Sequence, residues 1–489
     1  MQTDCNTAKF DFGEAEGRRI EARFDGGAMT SNAGALLLGK VDKALRLTQR
    51  VSACFVDRRN PALIEHEVET LLGQRLVGLA LGYEDLNDHD SLRHDPLFAA
   101  LAGKLAARRS DCAPVAGKST LNRLERSTQT PSRYHKISYD ADAIEALLVD
   151  LFIEAHEQSP DEIVLDLDAT DDPLHGEQEG RFFHGYYDCY CYLPLYVFCG
   201  RHLLVAKLRK ANIDASAGAT EEIERVVKRI RAAWPNVRIW LRADSGFARD
   251  GLMSWCEANG VDFAFGLAKN DRLNAELAED LAAAAKESVQ TGAAARRFKD
   301  FAYRTRDSWS RERRVIGKAE WMTPTQAEAD DMAQRESKKK KSKNATRKAR
   351  AKTAPTEPGR GNPRFIVTSA GKEQEARALY EDFYCARGEM ENRIKECQLD
   401  LFADRTSCAT MRANQLRLWL GSFAYVLLSA LRRLGLTETR FANATCGTIR
   451  LKLLKIGALV KISVRRVLFS MASAFPYVHE FAAACAALT

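Results

Sequence analysis

Two apolar stretches of this chain run straight into aspartate. Glu162 to Thr170 reads EIVLDLDAT, and Val237 to Phe247 reads VRIWLRADSGF. In the first, Ile163, Leu165 and Leu167 fall on one strand face and Val164, Asp166 and Asp168 on the other, because strand side chains alternate with period two. An acid there is costly to bury unpaired, so it either caps a turn or is kept to hold a metal ion or move a proton. The second run repeats the arrangement and ends at Asp244. A third acid stands far downstream, in EDFYCARGEMENRIKECQLD, where Tyr384, Arg387, Glu391 and Lys395 are spaced three, four and four residues apart. At about 100° per residue these four share one helix face within an arc of roughly 80°. Alone, such a row is a solvated face with paired charges. After two strand-end aspartates, it reads as a metal ligand flanked by phosphate-binding groups.

Three carboxylates suit hard, oxygen-seeking cations, Mg²⁺ or Mn²⁺. Two such ions about 3.5–4 Å apart activate an attacking hydroxyl and stabilise the leaving oxygen in a displacement at phosphorus. The His and Cys spacing that zinc needs is absent, and His175 and His184 read as ordinary loop histidines or as cleft-lining residues. Asp166 and Asp168 share a strand face, so the residues alone leave both as candidates for the first ligand.

The elements that must position these acids follow from the patterns around them. Residues 1–135 read as helical, with Asn60–Pro61 and Asp95–Pro96 each pairing an N-cap acceptor with a residue that has no donor to waste. Within this region a short helix, LNRLERS, offers Asn122, Arg123 and Arg126 to a major groove if the region is a helix-turn-helix, and carries ordinary surface arginines if it is a plain bundle. From Asp161 the texture is extended. EIVLDLD, RFFHGYYDCYCY, LPLYVFCG and HLLVAKLR predict an antiparallel meander, followed by helix, strand, helix, strand up to VDFAFGL. Residues 271–362 read as an insertion with two strands and a basic arm, and 363–489 as the return of the core followed by C-terminal helices.

The formal net charge of +7 is unevenly spread. Lys338 to Lys352, KKKKSKNATRKARAK, holds seven lysines and two arginines and no acid, so the rest of the chain sums to 7 − 9 = −2. Such a tract, Lys339 and Lys340 included, suits a polyanion. Scattered cysteines without a CxxC pair, and no apolar run at the N-terminus, predict a reducing cytoplasm. The longest apolar run, Leu418 to Leu431, has 14 residues, fewer than the roughly 18–20 that cross a bilayer, so no membrane partner is expected.

Taken together, the motifs DLDATDDPLHG, RADSGF and Tyr-x-x-Arg-x-x-x-Glu resemble those of the DDE transposases of bacterial insertion sequences, most closely the insertion sequence 1380 family. The resemblance implies an α/β fold: an RNase H-like catalytic core, a mixed sheet flanked by helices, with an inserted subdomain over 271–362 and an N-terminal helical DNA-binding region. The core would occupy 155–270 and resume at 363. It implies Asp168, Asp244 and Glu391 as catalytic metal ligands for two Mg²⁺ or Mn²⁺ ions, with Asp166 the rival of Asp168, and Tyr384 and Arg387 as phosphate contacts. The related pattern has a lysine seven residues after the glutamate; Gln398 stands there, leaving Lys395 as the substitute. Trp309 and Trp321, in the insertion, would either stack an extruded base or pack within it. The implied activity is binding of terminal inverted repeats, cleavage, and joining of 3′ hydroxyls to target DNA, by a homodimer on DNA, nucleoid-associated in a bacterial cytoplasm. The competing readings are a nuclease of the same fold without joining, and a DNA-binding protein whose acids are structural.

Overall fold

A computed structural model describes residues 9–323, 326 and 359–488. Lys339, Lys340 and the rest of the basic tract therefore lie outside the described residues. The chain divides into two units, one of Met1–Ile144, Glu396–Ala403 and Trp419–Thr489, the other of Glu145–Lys395 and Asp404–Leu418.

The second unit is built on a nine-stranded mixed sheet. In chain order its strands and those of a neighbouring hairpin sheet are β1 (Glu162–Ala169), β2 (Asp172–Pro173), β3 (Phe182–His184), β4 (Cys189–Tyr192), β5 (Leu195–Cys199), β6 (His202–Lys207), β7 (Arg238–Ala243), β8 (Asp262–Leu267), β9 (Ala295–Tyr303), β10 (Arg313–Met322), β11 (Arg360–Gly361) and β12 (Arg364–Thr368). The large sheet runs β6-β5-β1-β7-β8-β12-β10-β9, with β11 on β10. Strands β1, β5 and β6 form the expected antiparallel meander, while β7 and β8 run parallel to β1.

RFFHGYYDCYCY is the exception. Instead of joining the meander it folds back on itself as β3 and β4, which with β2 form a separate three-stranded sheet. Its tight turn carries Asp188 at a positive φ of 55°, a conformation that aspartate tolerates better than most side chains. The strands expected between 271 and 362 continue the large sheet, since β10 pairs with β12 and β9 takes the edge.

Alternation along the strands gives the sheet two different faces. Leu165, Leu167, Ile239, Leu241, Phe263 and Phe265 meet helices α1 (Ala219–Ala233) and α2 (Asp250–Ala258) in the main core. Helix α1 buries Ile223, Val226, Val227 and Ile230 at helical spacing, each contributing about 1.5–3 kcal/mol by leaving water. On the opposite face Trp240, Ile316 and Ile366 pack against Leu379, Tyr380 and Phe383 of the downstream helical segment. That segment is less regular than its spacing predicts. A π turn (Leu379–Tyr384) and a 3₁₀ turn (Cys385–Arg387) precede helix α3 (Gly388–Lys395).

In the first unit, Asn60 caps only a single 3₁₀ turn, Pro61–Leu63, and the helix proper is Val68–Ala80. The expected start is displaced because Ile64 and Glu67 are extended. Asp95 does cap its helix, accepting from the backbone N–H of Leu97 at 2.8 Å, but that helix ends at Leu101. The described cysteines are free thiols, and no helix among the described residues is long and apolar enough to cross a membrane.

Candidate active site

The acid-bearing face of β1 carries two aspartates with different surroundings. Asp166 lies in register with Arg242 of the parallel neighbour β7, and the guanidinium donates to its two carboxylate oxygens at 2.6 and 2.8 Å. Burial raises the Asp166 pKa while Arg242 pulls it down, so the pair is a buried, mutually satisfied fork. Arg242 also donates to the carbonyl of Phe383, tying the strand pair to the turn that presents Tyr384. Asp168 has no such fork.

Asp168 sits at the end of β1, its Oδ1 accepting from the backbone N–H of Ala169 at 3.0 Å. The parallel register pairs Ala243 with Leu167, and Asp244, the next residue along, is near enough for its charge to act on Asp168. Asp244 ends its strand and caps the next turn, accepting from the N–H of Gly246 at 2.9 Å. Glu391 arrives from α3, over the same face. Arg387, one helical turn earlier, reaches both sides: Nη1 lies 3.8 Å from Asp168 Oδ2, and Nη2 lies 3.1 Å from Glu391 Oε1.

Electrostatics join the three acids. Burial, then the charges of Asp244 and Glu391, push the Asp168 pKa up to about 7 against the pull of Arg387. Burial likewise raises the Tyr384 phenol, which is hydrogen-bonded to Arg387 and feels Asp244. Tyr384 has room because residue 266, on the facing position of β8, is glycine. A Cβ built there would stand 2.5 Å from the Tyr384 hydroxyl and 3.0 Å from the backbone nitrogen of Ser245.

The all-oxygen donor set of Asp168, Asp244 and Glu391 suits a hard divalent cation. Among the described residues no three His, Cys, Asp or Glu side chains already stand at metal-holding separation. The guanidinium of Arg387 takes the bridging place between Asp168 and Glu391. Burial, with the charges of Asp244 and Glu391, disfavours the ionised form of Asp168, and a bound cation would relieve that cost.

The other expected residues fall elsewhere. Lys395 is exposed at the end of α3. Arg123 and Arg126 are exposed in the first unit, at the end of helix Lys118–Glu125, which is anchored by buried Leu121 and Leu124 and by an Arg75–Glu125 pair at 2.6 Å. Trp309 is 4% exposed and meets Tyr303 edge-on at 5.8 Å within the main core, so packing describes it and a base-stacking role does not. Trp321 is half-buried on β10, opposite Ala295 and Gly361. His175 is exposed, whereas His184 lies on β3 with its ring 4.9 Å from that of Tyr187. Sequence reasoning missed Arg242 and Gly266. The signal for Arg242 was present, since RAD and DLD are aligned by the parallel register, but only strand order reveals it.

Comparison with known families now gives these features a class. The model of the transposase DDE domain group 1 family matches residues 12–330 and 325–489, nearly the whole length of the chain. The protein belongs to that family, whose members are enzymes that cleave and join DNA, generally with divalent metal ions. A comparison with curated proteins gives no match.

Proposed function

We propose that the chain is the transposase of a bacterial insertion sequence of the insertion sequence 1380 type. It binds the terminal inverted repeats, cleaves the ends and joins the freed 3′ hydroxyls to target DNA. Asp168, Asp244 and Glu391 would hold the divalent cations, Mg²⁺ or Mn²⁺, which when bound would supply charge neutralisation and an activated oxygen nucleophile at phosphorus. The observation that carries this reading is the convergence of acids distant in sequence on one guanidinium: Arg387 stands 3.8 Å from Asp168 and 3.1 Å from Glu391, and Asp168 feels the charge of Asp244 as well. The strand order supports an RNase H-like core: an antiparallel trio, β6-β5-β1, followed by parallel β7 and β8.

The chain's own residues have separable tasks in this scheme. Arg387 holds Asp168 and Glu391 in a common orientation and would offer its guanidinium to a phosphate oxygen of DNA bound at the acids. Tyr384, set over Gly266, orients Arg387. Arg242 locks Asp166 as a structural ion rather than a ligand. Arg123, Arg126, Lys395 and the basic tract with Lys339 and Lys340 contact phosphates, and Trp321 remains a candidate for base contact. A homodimer pairs the two ends.

The test is an assay with DNA carrying the inverted repeats that flank the reading frame, a target plasmid and Mg²⁺ or Mn²⁺. Joined products are expected with cation and none with chelator. Cleavage without joining would support a nuclease, and specific binding with neither would support a DNA-binding protein with structural acids.

A further inference from the structure

Beside β1 stands a patch that the acid chemistry does not use. The hairpin β3–β4 directs Phe182, His184 and Cys191 toward one side, where Cys191 is buried with Leu193 and Ala211 in a small cluster that reaches Ala169 at the end of β1. Its other side is open. There Phe183 and Tyr190 are direct cross-strand partners, 54% and 46% exposed, with ring centroids 5.6 Å apart. The guanidinium of Arg181 lies 4.3 Å from the centre of the Tyr190 ring, on the same side. At the hairpin tip Tyr186 is 76% exposed. Aromatic rings cost free energy when left in water, and a cluster of this kind on a surface marks an interaction site.

Its position says what it meets. The hairpin begins 14 residues after Asp168 but folds back to the end of β1, where Tyr187 at its tip donates a hydrogen bond to the carbonyl of Ala169 at 3.3 Å. Burial, then the charges of Asp171 and Asp168, push the Tyr187 phenol well up, so the tip shares the field of the acids. Lys210 lies exposed at the hairpin base, bridged through its backbone to Tyr192. Arg181 lies over Tyr190 and is paired with Glu177 at 3.1 Å, which holds that ring in place, while Lys210 is exposed. Exposed rings with a cation nearby are the composition that binds unpaired bases, rings stacking on base faces while cations follow the phosphates.

We infer that the open face of this hairpin, centred on Phe183 and Tyr190 with Arg181 beside them, is a stacking platform for unpaired bases of the DNA strand held at the acids. This rests on the family's DNA chemistry and extends it to a surface outside the three acids. A second copy of the chain is the other occupant of matching chemistry, and self-association is the outcome that would favour it.

The test is the affinity of the full chain for a short oligothymidylate and for a duplex of equal length, measured in chelator so that no cleavage intervenes. Phe183→Ala and Tyr190→Ala are each expected to weaken oligothymidylate binding by about 5- to 150-fold, the range of a lost base–ring stack. Duplex affinity and the salt slope should stay unchanged, because stacking releases no counterions. Tyr190→Phe should retain binding, whereas Phe183→Leu, which keeps apolar bulk and cannot fold differently for want of it, should not. Unchanged affinity in the alanine variants, equal binding by Phe183→Leu, or a change in oligomeric state without a change in affinity would each overturn the platform. A chain that joins no DNA can still pass this test, and one that joins DNA can fail it.

Discussion

At the scale of single residues, what separates Asp168 from Asp166 is a partner. Asp166 is neutralised by a two-pronged guanidinium at hydrogen-bond distance, while Asp168 has Arg387 only at 3.8 Å and faces the charges of Asp244 and Glu391. The consequence for stability has a definite sign. With a folded-state pKa of about 7 against an ordinary value of 3.8, Asp168 holds its proton more tightly folded than unfolded. Stability therefore falls as pH rises from about 4 to about 7, and the full penalty persists above that. Asp168→Asn removes the charge, so it should stabilise the cation-free protein at about pH 8 by on the order of 2 kcal/mol, with the gain vanishing near pH 4. Urea unfolding at both pH values checks this; equal stability of the two proteins at the higher pH would count against the buried charge. Arg242→Met should do the reverse, costing about 3–5 kcal/mol by leaving Asp166 buried and unpaired. Both aspartates were visible in the sequence as equals. Only the register of β7 on β1 ranks them, and register is a long-range property that a strand's own residues do not encode.

At the scale of elements, two close packings lend themselves to tests. Gly266→Ala would push a methyl group into the Tyr384 hydroxyl and the backbone of Ser245, at an expected cost of about 1–3 kcal/mol together with loss of strand joining. Adding Tyr384→Phe removes the first clash, so the double variant should regain part of the stability without regaining activity. In the first unit, Gln74 is fixed by Ala116, accepting at Oε1 from its N–H at 2.8 Å and donating from Nε2 to its carbonyl at 2.7 Å. That orientation also points Nε2 at His89 Nδ1, 2.9 Å away, so the ring nitrogen must accept and the imidazole stays neutral. Burial, then Arg75, lowers the His89 pKa to about 3. Because the unfolded histidine takes up a proton near pH 6.5 and the folded one does not, stability should fall by about 2 kcal/mol between pH 7.5 and 5. His89→Gln should flatten the slope below pH 6.5 by about 1.4 kcal/mol per pH unit, read from urea midpoints. Elements with strong periodicity, such as α1 and the meander strands, were legible. The hairpin β3–β4 was not, because an aromatic run reads as a strand whether it joins the main sheet or folds on its own turn. The helix start at Asn60 failed for a similar local reason: a good cap can close a single turn as well as a helix.

At the scale of the whole molecule, charge and chemistry sit on different stretches of chain. The tract 338–352 supplies +9 and leaves a remainder of −2, so deleting it should weaken DNA binding and lower the slope of log affinity against log salt by up to about eight, if each cation meets one phosphate. An unchanged slope would show that the folded units carry the phosphate contacts. The DDE transposase class was readable from three short motifs in order, two at strand ends and one in a helical segment. The large sheet's extension by β9 and β10 was not, since edge pairing depends on partners far away in sequence. The most direct measurement is strand joining by four single variants, each first shown to be folded. Asp168→Asn, Asp244→Asn and Glu391→Gln should each abolish joined product, while Asp166→Asn, the same change two residues away, should leave the folded fraction active. Joining that survives any of the first three, or is lost equally with Asp166→Asn, would contradict a cation site built on Asp168, Asp244 and Glu391.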